Sequence, residues 1–130
     1  MSESVESAFG LNQIGQIAVP ITDIERAVGF YRDTLGMQLL FQAPPDLAFF
    51  DLNGVRLMLD GPAKEQAGNS SVIYYKVADL DAAFATLSER GVSFEAKPHL
   101  IAKLPDHELW MAFLRDPDHN LIGLMSEVRP

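Results

Sequence analysis

Ile17-Ala-Val-Pro-Ile-Thr-Asp23, followed by Ile24-Glu-Arg-Ala-Val-Gly-Phe-Tyr-Arg-Asp-Thr-Leu-Gly36, is the stretch on which the fold turns. Its first half alternates apolar and other residues as a β-strand does, and its second half places Ile24, Ala27, Val28, Tyr31 and Leu35 at helical spacing. Thr22 and Glu25 stand three apart, the spacing of a capping box in which a hydroxyl accepts from the N3 amide and the carboxylate reaches back. Gly36 supplies the residue that ends such a helix. Downstream, residues 37–41 and 47–52 read as strands, and Asn53-Gly54, the preferred type I′ dipeptide, turns the chain into a fourth strand over 55–60. The order is β, α, β, β, β.

That order then returns. Residues 72–77 alternate, Asp79 caps a helix carrying Leu80, Ala83, Phe84 and Leu87, Gly91 stops it, and 92–95 reads as a strand. Residues 96–108 read as a long loop, before strands over 109–114 and 121–125 joined by the turn Asp116-Pro-Asp-His-Asn120. An offset of 56 pairs Asp23 with Asp79 and Ala27 with Ala83, and small adjustments pair Gly36 with Gly91, Asp51 with Asp116 and Leu59 with Leu124. The expectation is therefore a single α+β domain, residues 1–130, made of two βαβββ modules. Module one spans about 12–61, a connector 62–69, and module two about 70–127.

Composition narrows the chemistry. At 130 residues with 48% hydrophobic side chains, the chain suffices for one buried core. It has no cysteine, which removes thiolate nucleophiles and cysteine metal sites. Its net charge of −8 and lack of a basic cluster argue against nucleic acid, whose phosphates demand Lys and Arg. No apolar run reaches the roughly 20 residues of a membrane span, and residues 1–12 do not read as a leader, so a cytoplasmic, membrane-free protein is expected.

The strand-Asp-helix run through Phe30-Tyr31 and Leu35-Gly36, together with the Asp116-Pro117-Asp118-x-Asn120 turn, resembles the vicinal oxygen chelate superfamily, the glyoxalase, bleomycin-resistance and extradiol-dioxygenase group. The resemblance covers residues 14–127. It implies eight strands curled into a cup with helices outside, a small-molecule pocket within, and a homodimer. It also implies that metal-dependent members hold one ligand on each of four strands. Those positions are Gln16, Met58, Val72 and Gly123 here, and the repeat pairs Gln16 with Val72 and Met58 with Gly123. Hard cations and zinc take oxygen or nitrogen donors, and only Gln16 offers one. No metal or other cofactor is therefore expected at that place, the alternative being a divalent ion at a non-standard site.

Strand periodicity assigns faces. With Ile17, Val19 and Ile21 under the helix, Gln16 and Ala18 face the cup; so do Arg56, Met58 and Asp60, then Val72, Tyr74 and Lys76, then Met111, Phe113, Leu121, Gly123 and Met125. Three of the five methionines fall there, and a flexible thioether lining suits varied apolar ligands. Arg56 and Lys76 can anchor a carboxylate, Tyr74 can stack on a ligand, and Trp110 belongs with the helices. In the 96–108 loop, His99 or His107 can serve as general base with Glu108 orienting it, while His119 occupies a turn slot usual for glycine or asparagine. Two functions follow: a metal-independent, bleomycin-resistance-like binder of an apolar or aromatic compound, or a lyase, isomerase or dioxygenase relative with its active site rebuilt on His99, His107 and Glu108.

Overall fold

The computed structural model describes residues 9–63 and 71–130, so most of the connector lies outside the described residues. Strands β1 (Gln16–Pro20), β2 (Gln38–Ala43), β3 (Asp46–Leu52) and β4 (Val55–Gly61) form one sheet in the order β1-β4-β3-β2. Strands β5 (Ile73–Lys76), β6 (Ala96–Lys103), β7 (Glu108–Arg115) and β8 (Leu121–Val128) repeat it as β5-β8-β7-β6. In each sheet the first strand runs parallel to the fourth and the other neighbours run antiparallel. A helix fills each crossover, α1 (Ile24–Gly29) and α2 (Leu80–Glu89), and α1 continues as a π-helical turn over Phe30–Thr34.

Local chemistry explains the ends. Gly36 and Gly91 stop the two helices with φ of +78° and +94°, where a Cβ would be strained. Asn53 (57°) and Gly54 (97°) both take the left-handed conformation that a type I′ hairpin needs. His119 sits at 68°, in the slot that normally takes a smaller residue.

Two expectations need correction. The N-cap of α1 is Asp23, whose Oδ1 accepts from the Glu25 and Arg26 amides at 3.1 and 3.2 Å. Thr22 is drawn elsewhere: its amide and hydroxyl both donate to Asp118 Oδ1, at 2.9 and 2.6 Å. The second correction is β6. Residues 92–95 are not a strand, and most of the supposed loop is an edge strand, leaving only residues 104–107 between β6 and β7. Register shifts at Ala96/His99, with Pro98 inside it, and at Leu100/Ala102 break the alternation by which a strand is recognised. Strand β2 carries one such shift, at Leu39/Phe41.

The helix-covered faces of both sheets contribute to one continuous core. Phe50, Leu57 and Leu59 from module one and Ala112 and Leu114 from module two are fully buried there, and Trp110 packs against its edge as expected. Each large side chain so placed contributes about 1.5–3 kcal/mol. A polar clasp fastens the modules beside that core. Asp116 Oδ1 accepts from the Asp118 and Asn120 amides, both 2.8 Å, while its Oδ2 accepts from Asn120 Nδ2 and from the Tyr31 hydroxyl, also 2.8 Å. Asn120 Nδ2 reaches back to the Pro20 carbonyl at 2.9 Å. Burial, and then the Asp116 carboxylate, push the Tyr31 phenol far above its ordinary range, and the same causes push Tyr75 up to about 12. Among the described residues no helix is long and apolar enough to cross a membrane.

Candidate functional site

Direct cross-strand partners share a face, so the register maps the uncovered side of each sheet. On the module-one sheet one row reads Ala18, Met58, Phe49, Phe41 and the next reads Gln16, Arg56, Asp51, Gln38, with Asp60 beyond. Phe41 and Phe49 stack with centroids 4.6 Å apart and planes at 23°, and the Arg56 guanidinium lies 5.7 Å from the Phe49 centroid. The surface is a run of planar groups. Phe41 and Phe49 were absent from the sequence reading, although the buried Ala48 and Phe50 between which Phe49 lies would have placed Phe49 by alternation.

On the module-two sheet one row reads Tyr74, Gly123, Phe113, Ala96 and the adjacent one reads Lys76, Met125, Met111, His99. Tyr74 lies over Gly123: a Cβ on that glycine would stand 2.6 Å from Tyr74 Cδ2 and 2.9 Å from Cε2. Tyr74 also meets Phe113 edge-on, with centroids 5.9 Å apart. Val72, just ahead of β5, is half-buried. Of the other residues assigned to the cup, Met58, Met111, Phe113, Leu121 and Met125 are half-buried and Gly123 is buried, while Gln16, Ala18, Arg56, Asp60, Tyr74 and Lys76 are exposed.

The four positions where metal ligands are implied do not fit a hard cation. Gln16 Nε2 donates to the Met58 thioether at 3.6 Å, so the two module-one groups contact each other. Val72 has an alkyl side chain and Gly123 none, and the space above Gly123 belongs to the Tyr74 ring. Two of the four positions thus offer no side-chain donor atom. Among the described residues there is also no group of three or more His, Cys, Asp and Glu side chains that could hold a metal ion.

The residues of the proposed catalytic loop do not converge. His107 Nδ1 pairs with Asp106 Oδ1 at 2.8 Å, a contact that, with Arg129, holds the Asp106 carboxyl below its usual range. Glu108 accepts from Trp110 Nε1 at 3.1 Å and lines a cavity of about 420 Å³ on the helix side with Asp79, Leu80 and Ser126. His99 stands apart on the uncovered face, opposite Met111, with Nδ1 2.7 Å from the Lys97 carbonyl. A carbonyl only accepts, so Nδ1 is the ring nitrogen that carries a proton in this contact.

Comparison with known proteins places this geometry. Residues 13–124 match the family model of the Glyoxalase/Bleomycin resistance protein/Dioxygenase superfamily. The uncharacterized protein YraH of Bacillus subtilis (strain 168) is 32% identical, over 84% of this chain and 94% of its own length. Among solved structures, TnmS3, an antibiotic binding protein from Streptomyces sp. CB03234, superposes with a TM-score of 0.72 at 27% identity, covering 92% of this chain and 98% of its own. Lactoylglutathione lyase from Agrobacterium tumefaciens has the same fold, with a TM-score of 0.70 at 19% identity over 90% and 95% of the two chains.

Proposed function

Since the chain belongs to the glyoxalase/bleomycin resistance protein/dioxygenase superfamily, we propose that it is a binding protein for a planar, largely apolar small molecule, held without a metal ion. One observation carries this reading. Where metal-dependent relatives need donors, this chain has laid an aromatic ring over a glycine and tied an amide to a thioether. Flat apolar groups with few polar ones are what a site for an aromatic compound requires. The likeness to an antibiotic binding protein at 27% identity agrees with it, whereas the likeness to the lyase extends to the fold alone.

A second copy of the chain is the proposed cover for these faces. Phe41 and Tyr74 remain 48% and 46% exposed, and the helix sides of both sheets are already spent on the shared core. A twofold dimer would set the module-one face of each copy against the module-two face of the other, closing two equivalent cups. The protein should remain in the cytoplasm and need neither membrane nor nucleic acid.

Calorimetric titration with fused-ring aromatic compounds, before and after treatment with a chelator, tests the proposal. Binding that survives the chelator is the expected result. Stoichiometric divalent metal in the purified protein, with binding lost on its removal, would refute it. Light scattering should give twice the chain mass.

A further inference from the structure

The row Lys76, Met125, Met111, His99 crosses all four strands of the module-two sheet as successive cross-strand partners, His99 standing beside a bulge in β6. Its two middle members are half-buried thioethers and its two ends are exposed nitrogen groups. Three strand spacings separate the ends, about 14 Å at the backbone. Beside it runs the aromatic row of Tyr74 and Phe113. The Lys76 side chain makes neither a hydrogen bond nor an ion pair with any described residue. The other end is oriented: the Lys97 carbonyl holds the His99 Nδ1 proton, at 2.7 Å, so Nε2 is the ring nitrogen left for a ligand.

Resting on the reading of this face as a ligand site, we propose that the row measures its ligand end to end. The occupant is a fused-ring aromatic with an anionic oxygen, carboxylate or phenolate, at one end and a hydroxyl at the other. The two thioethers form an apolar floor that conforms to the rings. The Lys76 ammonium donates to the anionic end, and His99 Nε2 accepts from the hydroxyl. An ammonium has only donors, and the proposal assigns His99 the Nδ1-protonated tautomer, whose one remaining ring nitrogen is an acceptor. With the two ends about 14 Å apart at the backbone and each side chain reaching part of that way to the ligand, the proposed occupant spans two or three fused rings rather than one. A single ring reaches one end only. A ligand with the same groups on adjacent carbons satisfies one end and leaves the other unused.

The test uses the full chain and four matched probes: a hydroxynaphthoate with its two groups on opposite rings, a naphthoate, a naphthol and a methylnaphthalene. Calorimetry should rank the two-ended probe first, each one-ended probe about tenfold weaker, and methylnaphthalene about tenfold weaker again, one charge-assisted or neutral hydrogen bond at a time. Lys76→Met should abolish the advantage of the carboxylate and leave that of the hydroxyl, His99→Leu should do the reverse, and Lys76→Arg should restore the first. Both side chains are exposed, so unchanged melting curves should accompany these losses. Equal binding of all four probes would overturn the measuring role while leaving the aromatic site intact. Binding of none would remove the site itself and the proposal with it. Stoichiometric silver(I) uptake that excludes the probes and vanishes in Met111→Leu would also overturn it, because His99 and the two thioethers would then serve a soft metal.

Discussion

Module one and module two use the same frame and spend it differently, and their equivalent turns show this most plainly. Asp51 stands just ahead of a two-residue hairpin turn, and among the described residues its Oδ1 accepts only from the Gly54 amide, at 3.4 Å. Asp116, its counterpart in the repeat, is 4% exposed and accepts from four donors, one of them a hydroxyl in the other module. Duplication supplied two matching turns; one stayed a reversal of direction and the other became the grip between the copies. The centres diverged as well. Met58 keeps a side chain that takes a hydrogen bond, while Gly123 has given its space to Tyr74.

The contrast between the turns makes the largest prediction. Asp116→Ala orphans several buried donors at once and should cost about 3 kcal/mol, whereas Asp51→Ala should cost less than about 0.5 kcal/mol, read as urea midpoints at constant slope. Similar losses at the two positions would erase the distinction drawn between them. The contrast between the centres comes next. Gly123→Ala should displace the Tyr74 ring and weaken fused-ring ligands about tenfold, or about 1.4 kcal/mol, with little change in melting, because the displaced ring is an exposed side chain rather than backbone. Met58→Ala should weaken them only about twofold to threefold.

Tyr31 sharpens the comparison further, since the offset of 56 places the apolar Leu87 in its slot in module two. Tyr31→Phe should cost about 1 kcal/mol at neutral pH. It should also change the alkaline limb. The folded state holds the Tyr31 phenol protonated well beyond its ordinary value of 10.0, and the unfolded chain does not. Above that value the native state binds more protons, so stability is complete below pH 10 and falls as pH rises, at about 1.4 kcal/mol per pH unit for each such phenol. Tyr75 adds a decline that ends near 12. Circular dichroism melts from pH 9 to 12 should show a shallower fall in Tyr31→Phe. The smallest effect belongs to Arg26, which meets Asp118 at 3.4 Å with its side chain 45% exposed, while the same slot in module two is Ala82. Arg26→Ala should cost no more than about 0.5 kcal/mol and less at high salt.

The repeat, both helices and seven of the eight strands were legible because period, caps and turn dipeptides are local. Strand β6 was not, since its bulges and Pro98 leave no alternation and its edge position leaves most of it exposed. The cap of α1 was misread for a different reason. Thr22 and Asp23 are both good N-caps, and the choice between them was made by Asp118, 96 residues away. At the site, alternation placed Tyr74, Met111, Phe113 and Met125 on one face. The ring over Gly123 and the alignment of His99 with Met111 depend on a fold-back and a bulge that no local pattern encodes.

The sheet margins carry a last consequence. Strand β1 finishes at a proline and β5 is only four residues long, while β2 and β6 are kinked by shifted pairing that leaves Leu40, Leu100 and Ile101 facing water. None of the four offers the straight row of free amides and carbonyls onto which another chain could zip. Concentrated solutions of this protein are thus steered away from fibrils, although its margins are far from hydrophilic. Self-association is left to side chains meeting broadside, a mode that dilution reverses.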